Sequence, residues 1–266
     1  MKTLSLIGIG PGGPDLVTQQ AIAAMRAVDV FFLLDKAGPD GNHGKVSLIA
    51  AREAIMVRYL QPGQYRVVHA QSPARERATD GYLEVVRDWH ARKRALFAEL
   101  IERELEDGQT GALLIWGDPS LYDQSVSLFA ELAAEMATAK APATPEPLRL
   151  EVIPGLTAVQ VLTARHAIPL NRVGEPIVIT TGRQLEQCDP GTVDNTVVML
   201  DGRGAFRHCL GQGLLVYWGG NLGTNDEVLI AGPLDAVADD ILTTLEHLRK
   251  ERGWVMDTYL LRRPLP

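Results

Sequence analysis

The chain of 266 residues has few of the residues that build disulfide scaffolds or metal centres. Its only cysteines, Cys188 and Cys209, do not form a CxxC pair, so the sequence predicts neither a disulfide framework nor a thiolate metal site. The six histidines show no HExxH motif or other ligand spacing. We therefore expect a protein that works without a bound metal.

The sequence also lacks long apolar runs and an excess of basic residues. No apolar stretch approaches the roughly 20 residues that cross a bilayer. A net charge of −7 argues against a protein that binds duplex nucleic acid, although a few arginines can still create a local site for a small anion. The N-terminal segment runs directly into a glycine turn, unlike a signal peptide. These features favour a cytoplasmic protein without nucleic-acid or membrane partners.

Strand and helix patterns alternate through the first 120 residues, which predicts an α/β fold with a parallel sheet and crossover helices. The predicted strands span 3–9, 30–34, 66–69 and 111–115, and the predicted helices span 17–28, 47–58 and 82–106.

The second half is richer in strands and is expected to form a mixed sheet. Predicted helices span 125–136, 156–166 and 234–248, and predicted strands span 148–153, 176–180, 196–200, 214–218, 227–230 and 254–261. The proline-containing segment 137–147 is one possible domain boundary. Because ligand clefts favour domain junctions, we instead predict two α/β domains, 1–120 and 121–266.

The segment IWGDPSLY, residues 115–122, follows a buried strand. Gly117, Asp118 and Pro119 break that strand, which places bare backbone and one carboxylate at the carboxyl edge of a parallel sheet, where ligands bind. Gly-Asp-Pro also forms ordinary turns. Asp118 could therefore be a ligand contact or the N-cap of the helix that follows.

The first turn, GIGPGGPDLVT at 8–18, contains a G-x-G-x-x-G pattern after a strand. This pattern permits a nicotinamide-dependent oxidoreductase as an alternative function. Pro11 and Pro14 weaken that interpretation, because proline removes amide donors that a pyrophosphate would need. The following helix also begins too late, after Pro14 and Asp15.

These two blocks, together with VIPGLTA at 152–158 and LGTNDEVLIAG at 222–232, occur in an order that resembles the tetrapyrrole methylase family. The resemblance covers essentially the whole chain. It implies two α/β domains with S-adenosylmethionine (SAM) in the cleft between them, no metal, and a homodimer. FFLLDK at 31–36 and WGDPSLYD at 116–123 are most similar to the branch that methylates a corrin precursor in aerobic cobalamin biosynthesis and releases acetate.

The resemblance also implies which residues contact SAM, many of them through backbone atoms that small residues leave accessible. The family often carries Tyr-Met-Gly on a late strand, but alignment on Gly202 here places Asp201 at the methionine position. Met199 and Leu200 are therefore both retained as candidates. The implied contacts are Pro11, Trp116, Gly117, Asp118, Leu121, Tyr122, Thr157, Ala158, Met199, Leu200, Gly223 and Ala231. Thr157 could instead serve only as a helix N-cap.

The implied tetrapyrrole substrate carries many acetate and propionate groups, which arginine binds well. Candidate substrate-binding residues are Arg165, Arg172 and Arg183, with Arg203 nearby and Arg75, Arg77 and Arg92 as a possible lid; each could equally be a surface or structural arginine. Candidate catalytic residues are Asp35, Lys36 and His166, of which His166 could instead be packed within its helix.

The implied activity is SAM-dependent C-methylation of a corrin precursor, with S-adenosylhomocysteine and acetate as products. Another methylase of the same family and the nicotinamide-dependent oxidoreductase remain alternatives. A third alternative is a binding module of this fold that binds SAM without turnover.

Overall fold

The computed structural model describes residues 1–36, 43–73, 82–138, 148–253 and 255–265. The chain divides into two compact units. Unit 1 comprises Met1–Gly10 and Pro14–Leu156, and unit 2 comprises Pro11–Gly13 and Thr157–Pro266. No helix in the described part of the chain is long and apolar enough to cross a membrane.

Unit 1 is built on a five-stranded sheet with the order β3-β2-β4-β1-β5, and every neighbouring pair is parallel. Crossover helices connect parallel strands. The strands are β1 (Lys2–Gly8), β2 (Val30–Lys36), β3 (Arg66–Ser72), β4 (Thr110–Ile115) and β5 (Leu148–Ile153).

Helices cover both faces of this sheet, as the nearly continuous apolar strands require. On one face, Phe97 and Phe129 meet edge to face with ring centroids 4.7 Å apart. On the other face, Met25 and Ile55 are buried beneath the sheet. The helices are α1 (Gln19–Arg26), α2 (His43–Tyr59), α3 (Tyr82–Glu104) and α4 (Ser125–Thr138).

Unit 2 contains a mixed five-stranded sheet with the order β6-β7-β10-β8-β9. The β6–β7 pair is parallel and the other pairs are antiparallel, as expected for this half. The strands are β6 (Val178–Thr181), β7 (Thr196–Met199), β8 (Leu215–Gly220), β9 (Val228–Pro233) and β10 (Asp257–Arg262). The helices are α5 (Ala158–Arg165), α6 (Gly182–Leu185) and α7 (Leu234–Arg252).

The core of unit 2 lies between its sheet and α7. Trp218, Tyr259 and Phe206 are fully buried there, together with Ile241 of α7. The regular apolar spacing along α7 therefore marks the face that packs onto the sheet.

The boundary between the units differs from the predicted one near residue 120. The division falls after Leu156, because α4 packs on the first sheet and β5 completes it by pairing with β1. The Gly-Asp-Pro turn is thus a loop within unit 1 and does not end a domain.

Candidate functional site

The loops that follow β1, β4 and β5 meet through backbone atoms at the carboxyl edge of the first sheet. Gly10 and Gly117 exchange backbone hydrogen bonds of 3.2 and 2.8 Å. A Cβ built on Gly155 would lie 2.3 Å from the carbonyl oxygen of Gly117, and one on Gly8 would lie 2.6 Å from the Gly155 nitrogen. We call Gly8, Gly10, Gly117 and Gly155 the glycine cluster; close contacts explain why side chains are absent at Gly8, Gly10 and Gly155.

Gly117 also leaves open space at this edge. Its φ of +72° belongs to the left-handed region that favours glycine, and no described neighbour lies within 4 Å of a Cβ built there. The bare backbone at this position can therefore approach a ligand closely.

Asp118 connects two of these loops through its carboxylate. Its Oδ2 accepts a 2.8 Å hydrogen bond from the amide of Gly155, and its Oδ1 accepts one of the same length from the amide of Ser120, whose hydroxyl also donates to it. Burial opposes ionisation, but these donors outweigh it and lower the pKa of Asp118. The alternative that Asp118 is the N-cap of α4 is wrong, because Asp123 accepts the bond from the Ser125 amide at 2.7 Å.

The first glycine turn does not open directly into a helix. A short 3₁₀ turn, Pro14–Leu16, follows it, and α1 begins at Gln19 with Thr18 as its N-cap. A pyrophosphate held by the glycines of this turn would therefore lack the adjacent helix N-terminus on which dinucleotide sites depend. This geometry agrees with the sequence argument against a nicotinamide site.

In unit 2, the segment Pro11–Gly13 packs against the turn at Gly223. A Cβ on Gly13 would lie 2.4 Å from the Gly223 carbonyl oxygen. Glu227 fixes this turn, since its Oε2 accepts a 2.7 Å hydrogen bond from the Gly223 amide. Its Oε1 accepts a 2.8 Å bond from Nε of Arg165.

Thr157 is the N-cap of α5, as one of the two sequence-based alternatives predicts. Its hydroxyl accepts a hydrogen bond from the amide of Val159 at 3.2 Å, and the amide of Thr157 donates to Gln160 Oε1 at 3.0 Å, completing a capping box. Ala158 is the first residue of α5. The cap occupies the hydroxyl of Thr157, and a ligand contact by this residue or Ala158 stays a prediction.

The turn after β7 holds the other residues considered for the cofactor. Met199 ends β7, and Leu200 has a φ of +56° with 63% of its surface exposed. The carboxylate of Asp201, at the position of the family methionine, accepts bonds from the amide of Ala205 at 2.7 Å and the hydroxyl of Tyr259 at 2.9 Å. Asp201 therefore braces this turn from within unit 2.

Asp257 lies beside Asp201 under the same turn. Burial raises its pKa to about 6; a 2.8 Å bond from the Gly202 amide opposes the rise, and the neighbouring charge of Asp201 adds to it. Two carboxylates thus hold the backbone that follows Met199 and Leu200.

The remaining cofactor candidates fall at two places. Trp116 and Leu121 flank the Gly-Asp-Pro turn, and Tyr122 after them is 43% exposed with a φ of +53°. Ala231 lies exposed on β9, an edge strand of the second sheet. Direct contacts of these residues with a cofactor stay predictions.

The candidate arginines of unit 2 have acidic partners or lie at the surface. Arg165 forms an ion pair with Glu227 at 2.8 Å. Arg172 forms ion pairs with Glu175 and with Asp194, both at 3.2 Å. These ion pairs give both arginines a structural role whether or not they also bind substrate. Arg183 and Arg203 are exposed, as is Arg92 on α3; Arg75 and Arg77 lie outside the described residues.

The catalytic candidates are separated in the chain and differ in their surroundings. Nε2 of His166 lies 3.0 Å from the carbonyl oxygen of Trp218, and its ring meets Tyr217 edge to face at 5.6 Å. These contacts favour a packing role. Asp35 and Lys36 end β2, opposite Gln71 and Ser72. Their side chains lie outside the described part of the structure.

No group of three or more His, Cys, Asp or Glu residues within the described ranges could hold a metal ion.

Two features of the site were missed by the sequence analysis. Gly155 lies within a motif that we recognised, and a glycine following a strand and a proline could have identified it as a close-approach position. Glu227 lies within another recognised block, but nothing in its local sequence indicates that it binds the Gly223 amide. Contacts of this kind depend on how a turn folds back on itself.

The chain is similar in sequence and structure to known proteins. The family model for Tetrapyrrole (Corrin/Porphyrin) Methylases matches residues 3–238. A relative from Sinorhizobium sp named precorrin-6A synthase [deacetylating] is 40% identical over 263 residues, covering 99% of this chain and 96% of the relative.

Solved structures show the same architecture. A cobalamin synthesis related protein (CobF) from Corynebacterium diphtheriae matches with a TM-score of 0.80 and 36% identity, covering 99% of both chains. A uroporphyrin-III C-methyltransferase from Thermus thermophilus, in complex with S-adenosylhomocysteine, matches in fold with a TM-score of 0.55 and 16% identity, covering 97% of this chain and 96% of that one. The chain belongs to the tetrapyrrole (corrin/porphyrin) methylase family.

Proposed function

We propose that the protein is a SAM-dependent C-methyltransferase of aerobic cobalamin biosynthesis. It methylates C1 of precorrin-5 and releases acetate, giving precorrin-6A. The identity of 40% with a precorrin-6A synthase [deacetylating] supports this, because it extends over nearly the whole of both chains. The 36% identity with a cobalamin synthesis related protein supports the same pathway.

The observation that carries the proposal is the glycine cluster beside Asp118. Backbone atoms at Gly117 border open space, and a side chain there would fill it. This edge of a parallel sheet is where small ligands bind in α/β proteins. The site therefore fits a cofactor recognised largely by main-chain atoms.

SAM supplies a methyl group bonded to a positively charged sulfur, which an electron-rich ring carbon can attack. The protein contributes mainly by positioning donor and acceptor, since an in-line transfer depends on their alignment. Asp118, with a lowered pKa, is ionised at neutral pH and favours a cation in its surroundings. Its three hydrogen-bond donors hold the two loops in one geometry.

Further cofactor contacts are proposed from the family resemblance. Besides Trp116, Gly117, Asp118, Leu121 and Tyr122 of unit 1, they comprise Pro11, Thr157, Ala158, Met199, Leu200, Gly223 and Ala231 of unit 2. We also propose that the protein is a cytoplasmic homodimer.

The decisive experiment is incubation of the purified protein with SAM and precorrin-5. We expect one methyl group in the tetrapyrrole product by mass spectrometry, with acetate and S-adenosylhomocysteine released in equal amounts. A methylated product without acetate would instead indicate another precorrin methylase. Binding of S-adenosylhomocysteine without turnover would favour a binding module, and NADH binding in its place would favour an oxidoreductase.

A further inference from the structure

Unit 1 contains a cavity of about 350 Å³ at the carboxyl ends of β2 and β4. Its lining includes apolar residues such as Phe32 and Leu114 of these strands. Ile115 and Tyr122, which flank the Gly-Asp-Pro turn in the sequence, also line it. Because Arg52 of α2 and Lys93 of α3 both reach its wall, we call it the Arg52–Lys93 cavity.

Arg52 is anchored at this wall by the main chain. Its Nε donates a 2.9 Å hydrogen bond to the carbonyl oxygen of Leu114. Burial lowers the pKa of Arg52, and the charge of Asp123 opposes this shift. An arginine with so high an ordinary pKa still remains charged, so its guanidinium is a fixed cation at the wall of the cavity.

Lys93 is held by an aromatic neighbour one helical turn earlier. Its Nζ lies 5.1 Å from the centre of the Trp89 ring, within the range of a cation–π contact. Trp89 is itself fixed, since its Nε1 donates a 2.9 Å hydrogen bond to the carbonyl oxygen of Pro73. Both residues line the cavity, as does His90.

The charge of the cavity contrasts with that of the protein. Among the described residues that line the cavity, Arg52 and Lys93 are cations and Asp123 is a carboxylate, whereas the whole chain has a net charge of −7. Oδ1 of Asp123 already accepts a hydrogen bond from the amide of Ser125. Two cations among apolar lining residues suit a ring that carries a carboxylate.

We propose that the Arg52–Lys93 cavity binds one carboxylate arm, with its adjoining ring, of the polycarboxylate tetrapyrrole. This inference rests on the proposed function, since it assigns part of the acceptor to a place in unit 1. The volume is at the low end for ligand pockets, which suits one ring with its arms. The proposal places an expected carboxylate contact in unit 1, in addition to the candidates Arg165 and Arg172 of unit 2.

The test uses uroporphyrin I, an octacarboxylate porphyrin, as the probe, with binding followed by porphyrin fluorescence on the full-length protein. Lys93→Ala should weaken binding about tenfold, and Lys93→Arg should restore it to within about twofold. Arg103→Ala is the matched control, because it removes one positive charge from the exposed surface of the same helix. It should change affinity less than about twofold.

Arg52→Met should weaken binding more than Lys93→Ala, but it also removes the bond to Leu114 and can disturb folding. Lys93→Ala therefore carries the test, with S-adenosylhomocysteine affinity measured by calorimetry as the check on folding. We expect that affinity to be unchanged. Equal porphyrin binding by wild type and Lys93→Ala, or no binding by wild type, would overturn the proposal. If the protein binds uroporphyrin I in a Lys93-dependent manner but does not methylate precorrin-5 with SAM, the proposed function is wrong and the binding role of the cavity stands.

Discussion

The carboxylate of Asp118 accepts a 2.8 Å hydrogen bond from the backbone amide of Gly155, and so joins the loop after β4 to the loop after β5. In an open parallel sheet these loops are separate chain segments that nothing in the strand pairing holds together. The bond, with the backbone contact between Gly117 and Gly155, fixes this edge, which we propose binds the cofactor. Such prior ordering reduces the entropic cost of binding.

Asp118→Ala should therefore weaken binding of S-adenosylhomocysteine by about tenfold or more, which calorimetry can measure. The substitution leaves the amides of Gly155 and Ser120 without their acceptor, at a cost of about 1–3 kcal/mol in folding free energy. Asp107→Ala is a suitable control, because the side chain of Asp107 is 85% exposed and pairs only with the N-terminal amine among the described groups. Unchanged affinity in a folded Asp118→Ala protein would refute the role of this carboxylate.

Gly155→Ala should disrupt the carboxyl edge of the first sheet through a steric clash with backbone atoms. Its Cβ would lie 2.3 Å from the Gly117 carbonyl oxygen and 2.8 Å from the Gly8 carbonyl carbon, and these backbone atoms cannot rotate away. We expect a loss of about 3 kcal/mol or more in stability, and no detectable cofactor binding.

Gly108→Ala separates this clash from the general cost of replacing a glycine. No described neighbour lies within 4 Å of a Cβ at Gly108, although its φ is +90°. The control should lose about 1 kcal/mol through backbone strain alone and retain cofactor binding. If thermal or urea denaturation shows equal losses for both variants, close packing at Gly155 is not the reason for its glycine.

Apolar patterning sufficed to predict the elements of both sheets. The apolar runs that begin at Thr3 and Val30 are buried on both faces. Such continuous apolar runs are typical of parallel strands that lie between two layers of helices. The Gly-Asp-Pro turn was expected at the carboxyl edge of the first sheet, and it lies there because β4 ends at Ile115. Local sequence is informative in these cases because the strand itself determines where the turn falls.

The remaining features depend on contacts between distant segments. The unit boundary was predicted near residue 120, but β5 pairs with β1, and a pairing of that kind has no local signal. Asp201 was aligned with a cofactor-contacting methionine, yet its carboxylate accepts a bond from Tyr259 of β10. The cavity between Arg52 and Lys93 likewise arises only when α2 and α3 pack on the same sheet.

Glu227 and Arg165 can be separated by substitution. Glu227→Ala removes the acceptor for the Gly223 amide. We expect cofactor affinity to fall several-fold and the free energy of unfolding to fall by about 1–2 kcal/mol. Arg165→Ala leaves that acceptor in place, so its effect should be smaller. Steady-state kinetics provides the check: a raised KM for the tetrapyrrole alone in Arg165→Ala would show instead that Arg165 binds substrate.

We expect Asp257 to make the stability of unit 2 depend on pH. Burial raises its pKa from 3.8 to about 6, so the folded protein holds this proton more tightly than the unfolded chain does. The contribution of this group to stability is therefore greatest below pH 3.8 and falls as the pH rises through 6. The full change corresponds to about 3 kcal/mol at most.

Asp257→Asn should remove this dependence because its amide does not ionise. An asparagine oxygen can still accept the bond from the Gly202 amide, whereas its amino group cannot accept the 3.4 Å bond from Trp218 Nε1. Relative to wild type, the variant should gain stability between pH 4 and pH 7.5, as urea denaturation at a series of pH values would show. Asp240→Asn, on the exposed face of α7, should show no such gain. A constant difference between wild type and Asp257→Asn across this range would mean that Asp257 ionises alike in the folded and unfolded states.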